Sequence, residues 1–312
     1  MRVDLMIEGQ EDVTWDDWRA LAAACEQHRI ATLFRSDHYL SVDGKQERGS
    51  LDAWATIAAL AAVTSTLRFG TLVSPATFRH PSELAKVVTT ADHVSGGRVE
   101  LGLGTGWLEA EHAAYGFPFP PLGERMEMLE EQLQLVRHEW ADGPVSFEGR
   151  HYRTHELDAL PKPTRRPNLI VGGRGGPRSI RLASASADEY NTVNKTAAEC
   201  AAVREQLEAA CEKAGRDPIP LSLMTGWLAG EDRTELLDRA GRLAELRGNP
   251  APPERILDEL PESFIAGTLD EGVERLRELA AAGVERVMLQ HLLHRDLDAV
   301  EQIGRVARGL VG

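Results

Sequence analysis

Between Phe69 and Gly106 the chain reads FGTLVSPATFRHPSELAKVVTTADHVSGGRVELGLGTG, and this stretch limits the fold more than any other. Residues 67–73 are apolar and β-favouring, and Ser74-Pro75 stops them at once. Pro81 suits the first turn of a helix, where its missing amide hydrogen costs nothing, and Leu84, Val87, Val88 and Ala91 form one buried face. Gly96-Gly97 closes that helix. Val99, Leu101 and Leu103 then alternate with glycines at 102, 104 and 106, which predicts a strand whose exit lets a flat ligand approach the backbone. Strand, helix and strand in this order make a parallel β/α unit, and such proteins keep their chemistry at the C-terminal ends of the strands.

The alternation continues along the whole chain. Strands are expected at 2–7, 30–36, 67–73, 98–103, 167–172, 187–193, 219–226 and 284–290, with helices between them. Eight favours closure, so the expected fold is a (β/α)8 TIM barrel. Thr196 with Glu199, and Thr268 with Glu271, have capping-box spacing, while Gly215 and Gly283 stand where left-handed C-terminal caps belong. In the first helix Trp15, Trp18, Leu21, Ala22 and Cys25 share a face, which predicts that both tryptophans are core residues.

Residues 107–166 separate the fourth and fifth strands by more than a simple connection needs. Met126, Leu129, Leu133, Val136 and Trp140 repeat at helical spacing, and 145–152 reads as a hairpin turning at Glu148-Gly149. The reading is an insertion between strands 4 and 5 that lies over the barrel mouth. Asn249-Pro250-Ala251-Pro252-Pro253 is expected to be a rigid loop. One domain covering 1–312 accommodates all of this, since such barrels run to about 250 residues before insertions.

A formal net charge of −14, with no offsetting run of Lys and Arg, would repel a phosphate backbone, so no nucleic-acid partner is expected. No apolar run approaches the ~20 residues of a membrane span, and the N-terminus lacks the order of a secretory signal. Cytoplasmic residence is the expectation. Cys25, Cys200 and Cys211 are too few and too scattered for a metal or disulfide framework, and are read as buried hydrophobes. His151 and His155 lack the glutamate of a metalloprotease helix, so no metal is expected.

The strand endings resemble those of the luciferase-like oxidoreductases, more closely the branch using the deazaflavin coenzyme F420 than the branch using FMN. The resemblance rests on Ser36-Asp37-His38, Gly70-Thr71-Leu72-Val73, Gly102-Leu-Gly-Thr-Gly-Trp107, Val171-Gly-Gly173, Ala187-Asp188-Glu-Tyr-Asn191 and Gly267-Thr-Leu-Asp-Glu-Gly272, in that order. It implies a ring lying across the strand ends against a bulge with a cis bond at Leu72–Val73. It also implies hydride transfer to or from an unidentified small organic substrate, and related barrels are often homodimers. The rival readings are an FMN-dependent monooxygenase and a barrel that binds a flavin-like ligand without turnover.

On this resemblance His38 and Asp37 are the candidate catalytic pair. His38 would bond the cofactor or move a proton, and Asp37 would fix its tautomer or touch the ring. Thr71, Leu72 and Val73 would back the ring, with Gly104, Thr105 and Gly106 presenting backbone and a hydroxyl to it. Gly172, Gly173, Arg174 and Gly175 open the helix beginning near Pro177 and are read as an anion nest for the cofactor's acidic tail. Sugar-phosphate dehydrogenases of the family place a glutamate where this chain has Trp107 and a tryptophan where it has Val42, a departure that argues against glucose 6-phosphate. That leaves the acid/base residue unassigned: Glu109 and Glu111 are nearby candidates, though exposed first-turn glutamates are more often helix-dipole partners.

Overall fold

Eight parallel strands close on themselves in the computed structural model, which describes residues 1–45, 47–249 and 251–310. They are β1 (Arg2–Ile7), β2 (Thr32–Arg35), β3 (Arg68–Thr71), β4 (Val99–Gly104), β5 (Asn168–Gly172), β6 (Glu189–Val193), β7 (Leu221–Gly230) and β8 (Arg286–His291). Each pairs with the next, and β8 returns to β1 through the register Arg2 with Arg286 to Met6 with Gln290. The chain is a (β/α)8 barrel, as the alternation predicts.

Strand residues alternate between two cores. Leu5, Leu33, Phe69, Leu101, Leu169, Leu223 and Leu289 point outward and pack beneath the helices. Each buried side chain of this size contributes about 1.5–3 kcal/mol, which is why the helices stay on the barrel. Met6, Phe34, Leu72, Ile170 and Met288 point inward and fill the barrel's middle. Nearer the N-terminal ends of the strands the filling is ionic. Arg286 bonds Asp4 at 2.6 Å, Glu100 at 2.8 Å and Glu189 at 3.0 Å. Burial acts to raise the Glu100 carboxyl, but Arg286, helped by Arg2 and Arg68, brings it down to about 2. That end is plugged, so ligands have the opposite mouth.

Thr196 with Glu199 and Thr268 with Glu271 form complete capping boxes, and Gly215 and Gly283 take positive φ after their helices. Cys25, Cys200 and Cys211 are free and buried. Four expectations need correction. Trp18 is buried but Trp15 is 37% exposed, because it opens the helix at the N-terminal edge of its apolar face. The long helix Leu122–Trp140 is the crossover helix of the barrel, packed between helices Pro81–Ser95 and Pro177–Ser186, not part of a cover. Within 107–166 it is the short helix Glu109–Tyr115 that reaches the β2 exit, through Glu111. The hairpin strands are Val145–Glu148 and Arg153–Leu157, so the turn falls at 149–152, where the Gly149 amide donates to the Tyr152 carbonyl. Strand Ile265–Thr268, which the sequence reading lacks, pairs with the extended end of β7. In the proline-rich loop, Pro250 lies outside the described residues.

Candidate active site at the C-terminal mouth

Beyond β2 the chain turns into the mouth at Asp37 and His38. Asp37 is buried and saturated: Ser74 Oγ donates to it at 2.6 Å and Arg79 binds it through two nitrogens at 2.6 and 3.3 Å. Arg79 also donates to Asp52 at 2.8 Å and to the Tyr39 hydroxyl at 3.1 Å, and that hydroxyl donates to Asp52 at 2.8 Å. Burial works against the Arg79 charge, yet Asp37 outweighs it and holds the guanidinium firmly protonated. The expectation that Asp37 fixes the His38 tautomer is therefore corrected: Asp37 is bonded by Arg79 and Ser74, and fastens the β2 exit to the segment after β3.

Glu111 does what was expected of Asp37. His38 Nδ1 lies 2.9 Å from Glu111 Oε2, and the other carboxylate oxygen accepts the amides of Tyr39 and Leu40. Burial acts to raise the Glu111 pKa, but His38 and the two amides hold it below the usual carboxylate range. An ionised carboxylate only accepts, so Nδ1 carries the hydrogen and Nε2 is left without a protein partner among the described residues. Burial opposes a charge on His38, but the Glu111 bond and charge prevail and raise its pKa. The ring is 12% exposed and meets Trp107 edge-on, with centroids 5.7 Å apart and planes at 79°.

Glu111 was misread because first-turn position alone suggests solvent. The helix Glu109–Tyr115 packs an aromatic-rich segment onto the mouth, where His112 meets Phe117 edge-on and Phe119 at a tilt, and this buries Glu111 while leaving Glu109 exposed. The run of aromatics from Tyr115 to Phe119 was the available signal. His112 is internal to that packing, bonded to the Thr77 hydroxyl at 2.7 Å and the Leu108 carbonyl at 2.8 Å.

The peptide bond Leu72–Val73 is cis, as the resemblance implies. Past it, Ser74–Pro75 pairs with the end of β4. Thr71 is buried and donates to the Gly102 carbonyl, and Leu72 belongs to the inner core. Val73 explains two of the glycines. A Cβ on Gly104 would lie 2.6 Å from a Val73 methyl and one on Gly172 2.8 Å, while one on Gly102 would meet the Thr71 carbonyl before a Val73 methyl at 2.9 Å. At Gly104 and Gly172 the absent side chains make room for Val73. Gly106 has φ +75 and its Cβ would reach within 3.0 Å of the Thr77 hydroxyl. The Thr105 hydroxyl bonds the Gly106 carbonyl at 3.3 Å.

Two amides of the loop 172–176 are taken within the protein. The Gly173 amide donates to the Asn191 carbonyl and the Gly175 amide to the Tyr190 hydroxyl, both at 2.9 Å. Those two glycines serve close packing, since a Cβ on Gly173 would lie 2.5 Å from the Tyr190 hydroxyl and Gly175 has φ +82. Arg174 is exposed and has no ion-pair partner among the described residues, beside the N-terminus of helix Pro177–Ser186. An anion there would meet Arg174 and a helix dipole.

A cavity of about 340 Å³ opens at the mouth on the β1 and β8 side, with Glu8, Gln290 and His291 among its walls. The mouth thus combines an apolar floor of Leu72 and Val73, a histidine held by a carboxylate, and an adjoining cavity.

Comparison with known proteins accords with that arrangement. Residues 1–286 match the family described as luciferase-like monooxygenase. The chain belongs to the luciferase-like family. Among its relatives is an F420-dependent glucose-6-phosphate dehydrogenase of Nakamurella multipartita, 30% identical over 94% of this chain and 92% of that protein. Another is an F420-dependent hydroxymycolic acid dehydrogenase of Mycobacterium tuberculosis, 32% identical over 77% of this chain and 65% of its own length. Like these luciferase-like relatives, the protein is an oxidoreductase. The fold is shared with an F420-dependent secondary alcohol dehydrogenase in complex with an F420-acetone adduct, at TM-score 0.80, 20% identity and 98% coverage of both chains. It is shared as well with the FMN-bound oxygenating component of 3,6-diketocamphane monooxygenase from Pseudomonas putida, at TM-score 0.75 and 18% identity, covering 100% of this chain and 99% of that one. In this luciferase-like protein no helix among the described residues is long and apolar enough to cross a membrane.

Proposed function

We propose that this luciferase-like protein is an F420-dependent oxidoreductase that moves a hydride between C5 of the deazaflavin and a carbon of a small organic substrate. The observation that carries the reading is the His38–Glu111 pair, a proton-handling group with a fixed tautomer at the mouth of the barrel. The residues suit the cofactor. Leu72 and Val73 offer an apolar backing for a planar ring, and Arg174 beside a helix N-terminus offers a cation to an acidic tail. The bound deazaflavin would supply a two-electron hydride carrier whose ring carbon disfavours radical and oxygen chemistry.

The chain's own residues would do the rest. His38 Nε2 bonds the cofactor or moves a proton, and Glu111 keeps that nitrogen free by holding the hydrogen on Nδ1. Asp37, Arg79 and Asp52 hold the loop that carries His38. Thr71, Gly104, Thr105, Gly106, Gly172, Gly173 and Gly175 shape the walls around Val73 and the tail. Trp107 and Val42 stand where the sugar-phosphate dehydrogenases carry a glutamate and a tryptophan, so glucose 6-phosphate is not carried over as the substrate.

The test is a fluorescence titration of the purified protein with F420 and with FMN. F420 should bind at least tenfold tighter, and a preference for FMN would overturn the cofactor assignment. His38→Ala should impair turnover or ring binding without unfolding the chain; an unchanged rate removes His38 from the site. The likeness to FMN-bound monooxygenases supports a second reading. Oxygen consumption with reduced FMN and substrate is its signature.

A further inference from the structure

The 340 Å³ cavity runs from the barrel axis, where Glu8 and Gln290 follow the inward positions Met6 and Met288, outward to Leu243 and Leu246 of helix Arg233–Arg247. It opens at the C-terminal mouth, since Ile7 ends β1, Glu8 follows it, Gln290 and His291 end β8 and Asn194 follows β6. Its polar groups are mostly occupied with one another. Arg48 bonds Glu11 and reaches Asp43 at 3.4 Å, and Glu8 accepts from Gln10 and Gln290. Three carboxylates (Glu8, Glu11, Asp43) face two guanidiniums (Arg48, Arg247), and Arg247 stands exposed at the edge, so an anion entering the cavity meets an adverse potential. Of the remaining walls Asn194, His291 and His294 are polar, and the rest, Val42, Leu243, Leu246 and Phe264 among them, are apolar.

Two histidines of the wall keep an unused polar atom: His294 Nε2 has no hydrogen-bond partner among the described residues, with Asp17 3.8 Å away, and His291 is the better defined. His291 Nε2 lies 3.1 Å from the Asp296 carbonyl. A carbonyl only accepts, so Nε2 carries the hydrogen and Nδ1 is a bare acceptor with no partner among the described residues. Burial pushes the His291 pKa down to about 4, against the pull of Asp296, so the ring is neutral at physiological pH. The carbonyl that sets this tautomer is itself anchored, because the Asp296 carboxylate is bonded by Arg239 at 3.0 Å, by Arg242 and by the Ala299 amide at 3.1 Å.

We propose that this side cavity is the substrate subsite and that it takes an uncharged alcohol with a compact apolar body, whose hydroxyl donates to His291 Nδ1. The inference rests on the oxidoreductase reading above and names its substrate class. At a share of ~30 Å³ per water-sized group, the cavity holds about eleven non-hydrogen atoms, which limits the body to roughly one ring or a short branched chain.

The test uses the full chain, with and without F420, and three probes of one skeleton: cyclohexanol, cyclohexanecarboxylate and cyclohexyl phosphate. Calorimetric titration should show cyclohexanol binding at least tenfold tighter than either anion. Val42→Trp and Leu246→Trp, which fill the cavity from its edge and its wall, should each weaken that binding at least tenfold. His291→Phe should weaken it about five- to tenfold, the share of one hydrogen bond. F420 affinity should stay within twofold in all three variants. Anions that bind as well as the alcohol, absence of alcohol binding, or undiminished binding in the filled variants would overturn the inference. Loss is separable from the parent reading: alcohol binding without F420 binding sinks the cofactor assignment alone, and F420 binding without alcohol binding sinks the subsite alone.

Discussion

Gly104→Ala offers a direct check on how the mouth is built. The new methyl would stand 2.6 Å from a Val73 methyl, where ordinary contact begins at 3.4 Å. Gly104 ends a regular strand and is not among the positive-φ glycines, so the backbone itself accepts alanine, and reduced unfolded-state entropy would return about 0.4–1 kcal/mol. Overpacking a filled site costs about 1–3 kcal/mol, so the net change is a destabilisation. At roughly 2–4 °C of Tm per kcal/mol the loss is measurable by calorimetry. Val73→Ala removes the opposing methyls, so the double variant should recover part of the loss, with a coupling of about 0.5–3 kcal/mol. Gly123→Ala, in helix Leu122–Trp140 with nothing within 4 Å, is the control and should be neutral or stabilising. A Gly104→Ala protein that melts like its parent, or a double variant with additive losses, would refute the claim that Val73 occupies this space.

Two further outcomes follow from the charged groups. His38 has a raised pKa, so its contribution is complete below the ordinary value of 6.5 and is lost as pH rises through the folded value; Glu111 has a lowered one, so its contribution is complete above 4.5 and is lost as pH falls through the folded value. Glu111→Gln should therefore cost about 1.5–3 kcal/mol, most between pH 4.5 and 6.5 and less on either side; thermal melts across pH check it, and a difference independent of pH contradicts it. Arg286→Met leaves Asp4, Glu100 and Glu189 facing one another without their shared cation and should cost about 3–5 kcal/mol in urea unfolding. The parent's advantage should shrink as pH falls from the ordinary carboxylate range toward 2, where Glu100 titrates, and a loss below 1 kcal/mol would contradict the network's role.

The barrel was legible because its causes are local and repeated. Strand alternation, Pro81 at a first helical turn, the capping boxes at Thr196 and Thr268 and the glycines at 215 and 283 all act within a few residues, and so did the resemblance that placed the cis bond at Leu72–Val73. Strand Ile265–Thr268 escaped because a four-residue run earns its pairing only from the neighbouring end of β7. Partnership between distant residues was not legible at all. Glu111 lies 73 positions from His38, and Arg79 lies 42 from Asp37.

The amino-acid sequence alone determined the order of the barrel's strands and helices, and so that the chain closes into a barrel with its chemistry at one mouth. Only the tertiary structure decided which carboxylate holds His38, that Val73 is what Gly104 and Gly172 accommodate, and that His291 keeps a bare nitrogen in a cavity. The physical reason is range. Secondary structure follows from hydrogen bonds and side-chain periodicity a few residues long, whereas burial and ionic pairing depend on which distant groups the closed barrel brings within 3 Å of each other.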